Sequence, residues 1–570
     1  MKTTISKHII ALAATVIITG GASAQNISES VTVEGKYKPE IIHADRLALL
    51  PATIPLKAPE STMTFDRIGV KANFAPDALS MPATGWRTTK VYDTSKGYVN
   101  LRLGSWLNSS LSAGFAAIND ESTKLNIYLQ HNSTSLWQAW KEDDKTGTPA
   151  ADKRFRYDET LGATLRQNIE NAGTLSAQLQ YHLGYFNYYG SIRNLTDGKI
   201  TAPTQTVNDL YANANWTGNT MGKLHYEVSA DFRYFAYRAM YTPNYMSTYL
   251  PATPPPLPRT KGERESTVGI GGNLSYDLTA KSNLDIGLQY SGVLNSIGND
   301  VNRLRINPSY NMAGESYSLR LGIDMAVVGN GKTRFRLAPD VLFSMRSGLS
   351  AFSAKIGGGT HLRTLAWMHQ MDYYANPSQG CYRAAYSPLD IKVAYQLNPG
   401  GKWTFGVEGM WRTTLDESFG GLYQAFINNP LSTVTSEYFN MTRIKGFSVS
   451  INGGYEFNRY FAILGKIAWQ PQHGSSGVLN GFDRPSCTAD ISACSHPTDK
   501  LSLSLDYGLR ARRLLLPGNI SRLNLSAEYM ITDKLSVGAE LSNLLNRKEM
   551  LLPSLPTEGF TANAGVQLVF

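Results

Sequence analysis

The chain has 570 residues with a formal net charge of +9, and only 17% of its residues are charged. The basic residues are spread out and form no patch with interleaved aromatics, so nucleic acid is not expected as a partner. Three cysteines are too few for a disulfide scaffold. The 50 glycines, 31 tyrosines and 20 phenylalanines are typical of strands, tight turns and aromatic girdles.

Residues 1–24 predict a cleaved signal peptide. Lys2 and Lys7 precede an apolar run over 9–18, and Ala22 and Ala24 place small residues where a signal peptidase recognises them. The apolar run is too short to span a bilayer. We therefore expect an exported protein that is cut before Gln25.

Residues 25–96 predict a short, extended periplasmic segment or a reduced plug. Five prolines fall between positions 51 and 82, and the segment has little periodicity. Residues 30–40 (SVTVEGKYKPE) are rich in valine and are compatible either with a partner-binding strand or with a short exposed strand in a linker.

Residues 97–570 predict an outer-membrane β-barrel. Alternating stretches of about ten residues recur throughout, as in 501–509, where leucines and a tyrosine occupy one face and polar residues the other. No apolar run approaches the ~20 residues of a membrane-spanning helix. The pattern therefore indicates an all-β fold, a transmembrane antiparallel barrel with one face toward lipid and the other toward water.

The connections between these strands predict two unlike rims. Tyr276, Tyr395, Tyr455 and Tyr529 each precede a tight polar turn, as a periplasmic girdle requires. Long extracellular loops are expected at 133–155, 187–205, 237–263, 361–388, 414–441 and 470–482. A barrel with both ends in the periplasm needs an even number of strands, and a strand over 485–494 restores that parity. We predict about 22 strands.

The last strand is expected to close the barrel. From Phe560 to Phe570 apolar residues alternate with mostly polar ones, and the chain ends on an aromatic residue. Lipid cannot satisfy an open sheet edge, so this strand must pair with another. Phe570 is the predicted closure signal.

This C-terminal stretch resembles the end of the barrel of TonB-dependent outer-membrane receptors. The resemblance lies in Asn543, Leu544, Leu545, Asn546, Arg547, Lys548 and Phe570. It implies a receptor barrel, whereas residues 25–96 are too few for the plug domain of that family. The resemblance also implies that TonB or another envelope protein could bind this chain through residues 25–96.

A barrel of this size has an aqueous interior, which something must fill: the N-terminal segment, inward-folded loops or a partner. The polar faces of the strands give the candidate lumen-facing residues Arg102, Glu227, Asp231, Arg233, Arg303, Arg305, Arg320, Asp324, Asp506 and Arg510. They could form a permeation path or simply solvate the wall. The aromatic, proline-rich stretch 237–259 gives the outer-loop recognition candidates Tyr241, Tyr245 and Tyr249, which could equally belong to an aromatic belt.

Two functions follow as expectations: uptake or passage of a solute across the outer membrane of a Gram-negative bacterium, or a non-transporting barrel that scaffolds an envelope assembly. Expected partners are outer-membrane lipid, lipopolysaccharide and the barrel-assembly machinery. No cofactor is expected. His361 and His369 flank a loop without a metal-ligand or catalytic motif, so the chain is not expected to be an enzyme.

Overall fold

The computed structural model describes residues 96–570 apart from 140–150, 171, 188–203, 219–221, 240–260, 297, 374, 376, 378–383, 427–432, 475–484, 512–518, 553–554 and 557. The predicted signal peptide, almost all of segment 25–96 and Tyr241, Tyr245 and Tyr249 lie outside the described residues. None of the described helices is long and apolar enough to cross a membrane.

The described part consists almost entirely of strands. In chain order these are β1 Gly97–Gly104, β2 Ser109–Asn119, β3 Thr123–Ala139, β4 Ala151–Ile169, β5 Gly173–Asn187, β6 Thr204–Gly218, β7 Leu224–Tyr237, β8 Arg264–Thr279, β9 Ser282–Asn295, β10 Val301–Ala313, β11 Tyr317–Asn330, β12 Lys332–Ser347, β13 Ser350–Leu362, β14 Ala384–Leu397, β15 Trp403–Phe426, β16 Thr433–Asn458, β17 Phe461–Trp469, β18 Gln472–Gly474, β19 Cys487–Thr498, β20 Leu501–Ala511, β21 Ile520–Thr532, β22 Leu535–Ser542, β23 Met550–Leu552, β24 Leu555–Pro556 and β25 Thr561–Val569. Two helical pieces interrupt them, a 3-10 turn at Ser105–Leu107 and helix α1 at Leu365–Met371.

Twenty-two of these strands close into one antiparallel barrel, as the sequence predicts. Each strand pairs with its neighbour in sequence, and β25 pairs with both β22 and β1. The strand expected over 485–494 is present as β19. At the seam, the Phe570 amide donates to the Gly97 carbonyl at 2.9 Å, so the last residue helps to seal the edge.

The two rims differ in their connections. On one, the turn rim, the connections contain between two and five residues, and the four expected tyrosines lie near it on the outward face. The other, the loop rim, is less uniform than expected. Three of its connections are short, namely 105–108, 296–300 and 331. The predicted loop 414–441 is mostly a hairpin, because β15 and β16 continue their ladder to Phe426 and Thr433.

The outward face carries the exposed apolar side chains. The strands, Leu501–Ala511 among them, share one period-two pattern. On β11, for example, the exposed Leu321, Ile323 and Val327 alternate with side chains that face the interior. A water-soluble sheet would cover such a face with a second layer. Here the closed sheet leaves it open all round, which suits contact with lipid.

The stretch 543–548 makes a compact turn after β22. Asn543 and Asn546 both adopt positive φ angles of 52° and 48°, a backbone region that asparagine tolerates better than most residues. The side-chain amide of Asn543 donates to the backbone carbonyls of Arg547 and Glu558 at 2.8 and 2.7 Å. Asn546 Oδ1 accepts from the Phe560 amide at 2.9 Å, so the two asparagines fix the entry into the closing strand.

Candidate functional site

The connection between β13 and β14 enters the barrel. Residues 363–373, here called the inward segment, contain α1 and contact β4, β5, β7 and β8. Since β8 lies five strands from β13, the distance along the wall is about 24 Å. Along each strand, the contacted side chains alternate with the exposed apolar ones and therefore face the interior. The inward segment thus reaches them across the interior.

An aromatic cluster holds the inward segment against the wall near the loop rim. Its wall residues lie on the inward face near the loop-rim ends of β5, β6 and β7, and its segment residues lie in and just after α1. The buried members are Phe186, Val207, Phe235, Tyr237, Leu365, Ala366, Met368, Tyr373 and Ala375, with Trp367 and Met371 packed against them. We call this group the anchor cluster.

His369 lies at the centre of the anchor cluster. Its Nδ1 is 3.0 Å from the Tyr237 hydroxyl, and its ring packs against Phe186 and Phe235 at centroid distances of 5.9 and 5.3 Å. Burial lowers the pKa of His369 well below its usual range, and the positive charge of Arg156 acts in the same direction. The imidazole is therefore neutral, and it holds the segment by packing and one hydrogen bond.

Two side chains accept hydrogen bonds from the backbone amides at the N-terminus of α1. The Thr364 hydroxyl accepts from the Trp367 amide at 3.0 Å, which is an ordinary N-cap. Glu265, a β8 residue that is only 1% exposed, accepts from the Leu365 amide at 2.7 Å. A buried carboxyl oxygen thus supplies an acceptor for an amide that the helix itself leaves without one.

The start of the inward segment is tied to a different part of the wall. Arg363 donates to both carboxylate oxygens of Glu417 on β15, at 2.7 and 2.9 Å, in a bidentate pair. Its guanidinium also lies 4.6 Å from the Trp367 ring centroid. The inward segment is therefore held at both ends, by an ion pair to β15 and by the anchor cluster on β5 to β7.

The predicted lumen residues lie on the polar face, and most of them meet an opposite charge on the adjacent strand or, for Arg102, on β22, the strand beyond β25. These ion pairs are Arg102 with Glu540 at 3.4 Å, Arg233 with Asp209 at 2.6 Å, Arg305 with Asp324 at 2.5 Å, Arg320 with Asp340 at 3.0 Å and Arg510 with Asp490 at 2.8 Å. The positive and negative side chains of the inner wall therefore neutralise one another in pairs, and these residues do not form a surface of a single charge.

The remaining predicted residues are also engaged. Arg303 donates to the Thr360 carbonyl at 2.8 Å, three strands away, which a side chain achieves only on the concave side of the sheet. Glu227 accepts from the Asn215 amide at 2.7 Å, and Asp506 accepts from the Ser492 hydroxyl at 2.5 Å. Asp231 lies over Gly269, where an added Cβ would meet its carboxylate.

The anchor cluster is absent from the sequence-based candidates. Of its wall residues, Tyr237 lies in a predicted loop, and Phe186, Val207 and Phe235 lie within two residues of one. The short helix lies in a stretch without clean periodicity. One available signal is the alternation of β7 itself. Phe235 and Tyr237 break the polar pattern of the inward face, and an apolar residue facing a polar interior implies something that covers it.

These observations define the class of structure: a closed 22-strand antiparallel barrel, apolar outside and polar inside, whose interior is crossed by one of its own connections. No protein-family model matches the sequence, and a comparison with curated proteins found no match.

Solved structures with a similar fold include transporters and receptors. An FrpB iron transporter from Neisseria meningitidis is 12% identical, with a TM-score of 0.63 over 86% of this chain and 85% of that one. The siderophore receptor PirA from Acinetobacter baumannii is 11% identical, with a TM-score of 0.63 over 85% and 81%. The pyoverdine outer-membrane receptor FpvA from Pseudomonas aeruginosa is 11% identical, with a TM-score of 0.59 over 84% and 78%. At this identity the likeness establishes the fold and agrees with the barrel part of the resemblance in sequence.

Proposed function

We propose that the chain is an integral outer-membrane barrel of a Gram-negative bacterium and that a solute crosses the membrane through its interior, past the inward segment. The observation that carries the proposal is the inward segment itself. It narrows a wide polar bore, and it is attached by side-chain contacts that can separate without opening the barrel. The fold likeness to an iron transporter and to siderophore receptors supports the same function.

Conductance in a planar bilayer tests this function. Replacing residues 365–373 by a Gly/Ser linker of equal length should raise the single-channel conductance of the full chain, because the docked helix would no longer occupy part of the bore. A matched control replaces 296–300, a connection on the same rim that leads directly from β9 to β10. The control should conduct like the wild type.

Absence of conductance would favour the alternative function, a non-transporting barrel that scaffolds an envelope assembly. If no open state appears in the linker variant, even after residues 25–96 are also deleted, passage through the barrel is contradicted. A scaffold then requires a stoichiometric partner that co-purifies from mildly solubilised membranes.

Residues 25–96 are the proposed contact for TonB or another envelope protein, with the valine-rich stretch 30–40 as the binding strand. Deleting 30–40 should abolish co-purification with that partner while leaving the barrel heat-modifiable on a gel. Retained co-purification would contradict this assignment. The outward face is the proposed contact for outer-membrane lipid and lipopolysaccharide, and the barrel-assembly machinery is the proposed route of insertion.

A further inference from the structure

Three polar side chains form a hydrogen-bonded row on the outward face of β2, β3 and β4. Ser109 Oγ lies 3.2 Å from Nε2 of His131, and Nδ1 of the same ring lies 2.5 Å from Oε1 of Glu159. One imidazole therefore has a hydroxyl at one nitrogen and a carboxylate at the other. We call these residues the Ser–His–Glu row.

Strand parity places the row on the side that faces away from the interior. His131 pairs with Glu159 across β3 and β4, and the next pair on the same face contains Leu161, which is 54% exposed. Ser109 pairs with Leu103 on β1, which is 60% exposed. The row thus interrupts an apolar surface, where unneeded polar groups are unfavourable.

The height of the row matches the edge of the apolar band. His131 follows the first residue of β3 by eight positions, and Glu159 precedes the last residue of β4 by ten. In tilted strands this places both roughly 20–25 Å above the turn rim, near the top of a band about 25 Å tall. Tyr157 and Tyr185 stack immediately beyond, with centroids 6.2 Å apart, as girdle aromatics do.

We propose that Ser109, His131 and Glu159 form a catalytic triad that hydrolyses the acyl esters of outer-leaflet lipids. Glu159 accepts the Nδ1 proton of His131 and fixes the tautomer, which leaves Nε2 free to accept from the Ser109 hydroxyl. This is the order of hydrogen bonds that activates a serine nucleophile. Lipid ester carbonyls lie at the boundary between acyl chains and headgroups, the same depth as the row.

Two neighbouring features support a functional site. Ser133 Oγ lies 2.6 Å from Ser109 Oγ and gives the nucleophile a second fixed contact. The turn just before Ser109 holds Trp106 and Leu107 at positive φ angles of 61° and 53°, which is unfavourable for both residue types. Such strained backbone is concentrated at functional sites.

The reaction needs only the lipid and water. Ser109 Oγ bonds to the ester carbonyl carbon as His131 Nε2 takes its proton, and the carbon–oxygen bond to the lipid glycerol or sugar then breaks. His131 returns the proton to the departing alkoxide, which leaves an acyl-serine and a lysolipid. Water, deprotonated by His131, then attacks the acyl-serine, releases the fatty acid and restores Ser109.

Covalent labelling of the wild-type chain tests the nucleophile directly. A fluorophosphonate probe, added to the full chain in detergent micelles, should modify Ser109, as located by mass spectrometry of peptides. Ser109→Ala should remove the label. Ser112→Ala, on the inward face of the same strand, is the matched control and should keep it.

Fatty-acid release tests the substrate class. Phosphatidylethanolamine vesicles and vesicles containing lipopolysaccharide distinguish the two lipid sources. Release from at least one should fall by about 100-fold or more in Ser109→Ala and in His131→Asn. Absence of the Ser109 label, or release equal to that of Ser109→Ala with both lipids, would overturn the proposal. Because the row lies outside the bore, bilayer conductance should be unchanged in Ser109→Ala, so this failure is distinct from failure of passage.

Discussion

The barrel places two histidines in opposite surroundings. His369 is enclosed inside by aromatic rings and hydrogen-bonded to Tyr237, whereas His131 lies half-buried on the outward face between a serine and a glutamate. Within the described part of the chain, the interior histidine has one polar partner, and the outward one has a polar partner at each ring nitrogen. The comparison shows that the surroundings decide the role: one imidazole fastens a segment, and the other is arranged to move a proton.

The largest expected effect comes from emptying the anchor cluster. Phe235→Ala removes a fully buried ring between β7 and α1, which should cost about 3–5 kcal/mol of packing free energy. The inward segment should then lose its protection against hydrogen exchange at Leu365–Met371. The matched control is Phe232→Ala on the same strand, whose side chain is exposed on the outward face and should leave that protection intact. Equal exchange in both variants would contradict the anchor.

Acid should also release the inward segment. A neutral buried His369 has a lowered pKa when the segment is docked, so the released segment binds more protons below its ordinary pKa of about 6.5. Docking is therefore fully stabilised above that pH and weakens as the pH falls, by up to roughly 1.4 kcal/mol per pH unit. Hydrogen exchange of α1 from pH 8 to 5, corrected for the intrinsic rate, measures this.

The control for the acid effect is His369→Gln, whose amide can still bond to the Tyr237 hydroxyl but does not titrate. Its exchange should depend far less on pH. If the wild type and this variant respond alike, protonation of His369 is not what releases the segment.

The barrel could be predicted from the sequence because lipid contact imposes a local rule. Apolar side chains alternate along every strand wherever the outward face meets acyl chains, so β11, β20 and β25 can be recognised residue by residue. Beyond the apolar band that rule ends, although the hydrogen-bonded ladder continues. This is why the sequence predicts a loop at 414–441, where β15 and β16 form a hairpin.

The two histidine sites could not be predicted in the same way, because each is assembled by strand pairing. Ser109 and His131 are 22 positions apart, and His131 and Glu159 are 28 apart, so no short motif joins them. His369 meets Tyr237 from 132 positions away. Registers that bring such residues together depend on the closed barrel and on turn lengths that one sequence does not specify.

A smaller effect is expected from the hydroxyl of Tyr237. Tyr237→Phe keeps the ring but removes the hydrogen bond to His369, leaving a buried imidazole nitrogen without its partner. The cost should be about 1–3 kcal/mol, less than that of Phe235→Ala. A partial rise in hydrogen exchange at α1 checks it, and a rise larger than that in Phe235→Ala would show that the hydrogen bond, not packing, holds the segment.

The smallest effect on stability should come from the outward row. Glu159 is 43% exposed, and its partner His131 is also open to the surroundings, so their pairing contributes under about 1 kcal/mol. Glu159→Gln should therefore unfold at nearly the wild-type temperature in micelles, while the fluorophosphonate labels Ser109 more slowly because the His131 tautomer is no longer fixed. A large loss of thermal stability with an unchanged labelling rate would reverse the comparison, since the outward histidine would then be the structural one.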